Sequence, residues 1–64
     1  MLSKETIDLV VKEMDVSINE ATTREKLEDM RTGIGMAKRI CGLPEETANT
    51  IFRRIDDRIA ALHK

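Results

Sequence analysis

The sequence predicts an all-α fold of three helices, and three observations carry that expectation. Apolar residues recur at spacings of three and four along three segments, and no segment sustains the period-2 alternation of a half-buried strand. One proline and three glycines punctuate the 64 residues, and Gly42-Leu43-Pro44 fall together where one helix must end and the next begin. Ser3 and Thr22 precede two of the periodic segments, where a hydroxyl accepts an orphan backbone N–H. The chain reads as one small helical domain over residues 1–64, too short for a second domain or a cleft between lobes.

The first helix is expected from Lys4 to Asn19, with Ser3 as its N-cap and Ile7, Val10, Val11, Met14 and Ile18 on one face. Asn19-Glu20-Ala21-Thr22 reads as a short turn. The second helix is expected from Thr23 to Cys41, opened by a Thr22/Glu25 capping box. Its seam of Leu27, Met30, Ile34, Ala37 and Cys41 steps alternately by three and four, the heptad spacing of packed helices. Gly33 and Gly35 lie inside it, each costing up to about 1 kcal/mol relative to Ala. Either they permit a close helix–helix crossing, with Gly33 and Ala37 as the small residues, or they kink or break the helix and leave a fourth short one. Gly42 is expected as a left-handed residue ending the second helix. Pro44 tolerates the missing N–H of a first turn, and Glu45 and Glu46 complement the helix dipole there. The third helix is then expected from Pro44 to Leu62. Ala48, Ile51, Phe52, Ile55, Ile59 and Leu62 form its apolar stripe; Glu46, Asn49, Thr50, Arg53 and Asp57 form its polar face. The second and third helices are expected as an antiparallel hairpin with the first packed across it.

A second apolar stripe is less expected. Leu2, Leu9 and Val16 recur every seventh residue opposite the Ile7/Met14/Ile18 face, and Met36 and Ile40 point away from the seam of the second helix. A helix apolar on two faces is central in a bundle or lies between chains, and a three-helix protein of this size has no central helix to spare. Leu2, Leu9, Val16, Met36 and Ile40 are therefore expected to meet a protein partner, with a homo-oligomer, above all a dimer, favoured. Size argues the same way: below about 70–80 residues one core supplies no more than about 3–5 kcal/mol, and association is the usual remedy without disulfides or metal.

Composition excludes much else. Lys+Arg is 11 and Asp+Glu 12, a net charge of -1, not the strong positive balance of a dedicated nucleic-acid binder. An apolar fraction of 41% is too high for a disordered tail. The single cysteine excludes an intrachain disulfide and an all-cysteine zinc site. A small domain without such staples suits a reducing compartment. Lys4, Glu5, Asp8 and Lys12 interrupt any signal-peptide core, and no apolar run nears the roughly 18 residues of a membrane span, so a cytoplasmic protein without a membrane partner is expected.

No catalytic site, cofactor site or metal site is expected. The only histidine, His63, lies next to the C-terminal residue, and the third helix carries it away from Cys41, itself expected as a small buried hydrophobe. Glu45/Glu46 and Asp56/Asp57 are adjacent pairs that point to different sides of a helix, and there is no HExxH, EF-hand or Glu-x-x-His spacing. Gly33-Ile34-Gly35 lacks the strand and the Lys or Ser/Thr of a phosphate loop.

The charges show some order. Residues 1–20 carry 2 positive and 5 negative groups, residues 21–42 carry 5 and 3, and residues 43–64 carry 4 and 4. Arg24, Arg31 and Lys38 recur every seven residues beside the second helix's seam. That stripe reads either as a charge match setting helix pairing or as a surface for a polyanion.

The stretch from Ala37 to Phe52, with its Gly-Leu-Pro-Glu-x-Thr run, resembles a helix-turn-helix of the sigma-factor-like sort. The resemblance implies Gly42 as the turn glycine and Ala37, Cys41, Leu43, Ala48 and Ile51 as the residues setting the helix angle. It makes 37–54 a nucleic-acid-binding region with Glu46, Asn49, Thr50 and Arg53 toward the groove, and Arg39, Arg54 and Arg58 completing the candidate surface. Lys38 departs from the pattern, standing where such motifs carry Ala or Gly. Residues 27–62 are similar to the helical hairpin of small sporulation-type aspartyl-phosphate phosphatases; only Asp56 of that family's Ser-Gln-x-Leu-Asp signature is present in Phe52-Arg53-Arg54-Ile55-Asp56. The function expected first is a non-catalytic interaction module: a small adaptor, inhibitor or regulator. A helix-turn-helix nucleic-acid-binding regulator is the alternative. A small anion held at helix N-termini between subunits is a third expectation.

Overall fold

A computed structural model describes residues 2–63 and is all-helical, with no strand among them. Its helices are α1 (Lys4–Glu20), α2 (Arg24–Ile40) and α3 (Glu45–Leu62). α3 packs against both α1 and α2, whereas α1 and α2 scarcely touch each other. The first helix thus packs on α3 and scarcely on α2, and the central position belongs to α3.

The helix ends follow local chemistry. Ser3 caps α1, its hydroxyl oxygen accepting from the Thr6 N–H at 3.2 Å. α2 opens one residue later than the capping-box reading places it: Thr23 is the N-cap and accepts from the Lys26 N–H at 3.2 Å, so Thr22 stays outside the helix. In this register Lys26 stands where a capping box needs Glu or Gln, and Glu25 acts only as first-turn charge. α2 ends at Ile40. Gly42 takes φ 76°, the left-handed conformation that costs a residue with a Cβ about 1–2 kcal/mol. The Ala37 carbonyl accepts from both the Cys41 N–H (2.9 Å) and the Leu43 N–H (3.4 Å), which turns the chain and drops Leu43 into the core. The Pro44 carbonyl accepts from the Ala48 N–H at 3.0 Å and starts α3.

The buried core is Ile18, Ala21, Leu27, Ile34, Leu43, Ala48, Ile51 and Ile55. α3 supplies the last three of these, all wholly shielded from solvent, and α1 only Ile18. Val11, Met14, Met30, Ala37, Phe52, Ile59 and Leu62 pack around it, half-buried. The expected stripes of α2 and α3 therefore face inward, with one exception. Cys41, expected on the inner seam, is exposed, because α2 stops before it and the chain has begun its turn.

Neither glycine in α2 breaks the helix, which is continuous from Arg24 to Ile40. Neither serves a close crossing: a Cβ built on Gly33 or Gly35 meets nothing within 4 Å. Both therefore weaken α2 without relieving any clash inside the chain.

Two predictions follow from the local chemistry. Gly33→Ala and Gly35→Ala each raise the stability of the dilute protein by about 0.5–1 kcal/mol, which in a domain this small moves the thermal midpoint upward by several degrees. Thr23→Ala lowers urea stability by about 1 kcal/mol, whereas Thr22→Ala stays within about 0.5 kcal/mol of the parent, because only Thr23 makes the cap bond.

Candidate functional site

The basic residues show first what the surface is not free to do. Arg31 faces Asp56 in an ion pair and lies 5.9 Å from the Phe52 ring centroid, so Phe52 and Asp56, one turn apart on α3, form its seat. Lys38 approaches Glu45 at 3.5 Å across the turn between α2 and α3, and Arg24 pairs with Glu28 at 3.0 Å within α2. Each side chain of the Arg24/Arg31/Lys38 stripe thus faces a carboxylate. These pairs are solvent-exposed, where such contacts are worth little energetically; they fix which side chains meet.

Two arginines of α3 hold α1. Arg54 pairs with Asp15. Arg58 donates from Nε (3.2 Å) and Nη2 (3.1 Å) to the carbonyl of Ala21, the C-cap of α1. α1 has no basic residue in its own last turn, and Arg58 supplies the positive charge and the donors that a helix C-terminus favours.

Among the residues of the nucleic-acid reading, Arg54 and Arg58 are therefore engaged inside the fold. The Thr50 hydroxyl donates to the Glu46 carbonyl of its own helix at 3.0 Å. Arg39, Asn49 and Arg53 are exposed. Lys38 sits half-buried at the junction where a helix-turn-helix carries a small residue. Asp56, the one residue matching the phosphatase-like signature, is the partner of Arg31. Cys41 and His63 flank opposite ends of α3, a helix of 18 residues and so about 27 Å long. Among the described residues no three His, Cys, Asp or Glu side chains gather where they could hold a metal ion. No helix of the described residues is long and apolar enough to cross a membrane.

The apolar surface is more informative. Among the described residues four large hydrophobic side chains stand exposed: Leu9 at 56%, Val16 at 52%, Met36 at 54% and Ile40 at 75%. All four belong to the second stripe read from the sequence. Its fifth member, Leu2, is instead half-buried against the core. Leu9 and Val16 flank a shallow depression on α1 shared with Lys12, Glu13 and Ser17, and Met36 and Ile40 flank another on α2 shared with Arg39.

The amount of exposed surface fits a chain with uncovered faces. A compact monomer of 7.3 kDa exposes about 4,200 Å², and this chain exposes 4788 Å². Its radius of gyration is 11.6 Å, against about 10.7 Å for a compact domain of this length. The surplus goes with an elongated outline, 38 × 19 × 15 Å along its principal axes.

Sequence spacing could not reveal the Arg58 clamp, because its acceptor lies 37 residues away on another helix. Nor could it show that Gly33 opens onto empty space. The recurrence of Leu9 and Val16 and the off-seam placement of Met36 and Ile40 carried through to exposed features. No protein-family profile, no curated protein and no solved structure matches this chain.

Proposed function

We propose that this chain is a non-catalytic helical protein-interaction module, a small adaptor, inhibitor or regulator that works by presenting the outer faces of α1 and α2 to a protein partner. The observation that carries the reading is the exposure of Leu9, Val16, Met36 and Ile40 together on a chain with so small a core. Scattered single hydrophobics are ordinary on a protein surface. Here they align on one face of each of two helices, Leu9 and Val16 seven residues apart and Met36 and Ile40 four apart, and apolar residues so aligned mark contact surfaces.

The framework behind those faces is an antiparallel α2–α3 hairpin. The Lys38–Glu45 pair next to the turn and the Arg31–Asp56 pair farther from it support that direction, since the two helices are then traversed in opposite senses. α1 is held on the other flank of α3 by Arg54 and Arg58. Arg54 and Arg58 are used in this framework while Arg39 and Arg53 stay exposed, so only part of the polyanion surface is free, which favours protein contact over nucleic acid.

Two measurements test the reading. The native mass in solution exceeds that of one chain, and Leu9→Lys with Val16→Glu lowers it while helical circular dichroism persists; an unchanged mass overturns the proposal. Anisotropy of a labelled mixed-sequence duplex shows no salt-sensitive binding between about 50 and 200 mM salt. Binding that weakens by orders of magnitude over that range establishes the helix-turn-helix alternative instead.

A further inference from the structure

The outer face of α1 joins apolar area to unneutralised negative charge. At about 100° per residue, Glu13 and Glu20 run along one side of the Leu9/Val16 row, and Glu5, Asp8 and Lys12 along the other. All of these side chains are exposed. Among the described residues Glu5, Asp8, Glu13 and Glu20 have no ion-pair partner, whereas Asp15, the remaining acid of α1, meets Arg54. Lys12 lines the same depression as Leu9 and Val16, so one cation stands among four acids. Glu5 complements the positive start of the helix. Glu20 does the opposite: it stands at the C-terminal end, where a carboxylate opposes the helix dipole, and the last turn holds no basic residue of its own.

The same sign recurs on α2, where the exposed Glu25 and Asp29 share the side of the helix that carries Met36 and Ile40, together with Arg39. A second copy therefore turns acids toward acids whichever rows it brings together. The form of the α1 face points to a helix as its occupant. The backbone of α1 is bonded within its own helix, so an extended segment finds no N–H or C=O there to pair with. Another helix needs only an apolar row to lay against Leu9 and Val16. Charges flanking such a row select the sign of the partner.

Building on the reading of the chain as an interaction module, we infer that the outer face of α1 is a docking surface for a basic amphipathic helix of another protein. The apolar row of that helix packs on Leu9 and Val16. Its Lys or Arg side chains meet Glu13 and Glu20 along one edge, and Glu5 and Asp8 along the other. The apolar row spans only about 10.5 Å, or two turns, so charge completes the contact, and added salt weakens it. A second copy meets the same face against its charge, so salt favours it instead, and at low salt the basic helix displaces it.

The test uses two labelled synthetic helices of three heptads with the same leucine row, one flanked by lysines and the other by glutamates. Fluorescence anisotropy reads their binding to the full chain. The lysine peptide binds at about 50 mM salt and is weakened about tenfold at about 200 mM; the glutamate peptide does not bind. Leu9→Ser with Val16→Ser keeps the charge and removes the row. Glu13→Gln with Glu20→Gln keeps the row and removes charge. Each pair weakens binding by about tenfold or more, while circular dichroism shows the helices intact. Met36→Ser with Ile40→Ser binds like the parent. Failure of the lysine peptide to bind overturns the inference, and so does equal binding of the two peptides. Binding that survives Leu9→Ser with Val16→Ser is charge attraction alone and overturns it too, as does loss of binding in the Met36→Ser/Ile40→Ser chain. If the lysine peptide fails while Leu9→Lys with Val16→Glu still lowers the native mass, the interaction-module reading stands and a second copy is the occupant. If that mass is unchanged as well, both fail.

Discussion

One apolar stripe on α3 has to serve two neighbours. Because α1 and α2 scarcely touch, the cohesion of the chain runs through Ala48, Ile51 and Ile55, each wholly buried. Truncating a buried isoleucine to alanine costs about 2–5 kcal/mol, and a core in this size range provides about 3–5 kcal/mol altogether. Side chains of this stripe are therefore close to indispensable one by one. The same geometry explains the outer surfaces. With α3 in the middle, the far faces of α1 and α2 have no described element of the chain to cover them, and large apolar residues there stay exposed.

Around this stripe the polar contacts settle direction and pairing more than energy. Arg31 reads Phe52 and Asp56 together, Lys38 meets Glu45 beside the turn, and Arg54 and Arg58 secure α1. Exposed ion pairs contribute little individually, but each excludes alternative registers in which a charge would face its own sign. Four of the basic side chains, Arg31, Lys38, Arg54 and Arg58, are placed in this way.

How much of this was legible in the sequence depends on the range of the interaction involved. Helical period placed the three helices and the inward faces of α2 and α3, because burial of a stripe is a local pattern. Ser3 and Gly42 were legible because capping hydroxyls and left-handed glycines act within a few residues. The Thr22 reading missed by one position: two adjacent threonines offer the same chemistry, and only the backbone decides which one leaves the helix. Cys41 continues the heptad arithmetically, but the helix stops before the arithmetic does. The glycines of α2 could not be resolved from spacing, since a close crossing and empty space look alike until a neighbour is located. The exposed rows were legible as a periodic surplus of apolar residues. Arg58 was beyond reach for the same reason: nothing near it in the chain announces a carbonyl on another helix.

The Arg58 clamp also sets how the molecule opens. It sits at the C-terminal end of α1, next to Ile18 and Ala21, the residues of that segment most deeply buried. Toward its other end α1 has only half-buried contacts. Local stability in small proteins follows such differences in burial, so amide protection along α1 rises from its beginning toward residue 21 and exceeds that level in the middle of α3. The start of α1 is thus its least anchored part, and the arginine holds the opposite end to α3.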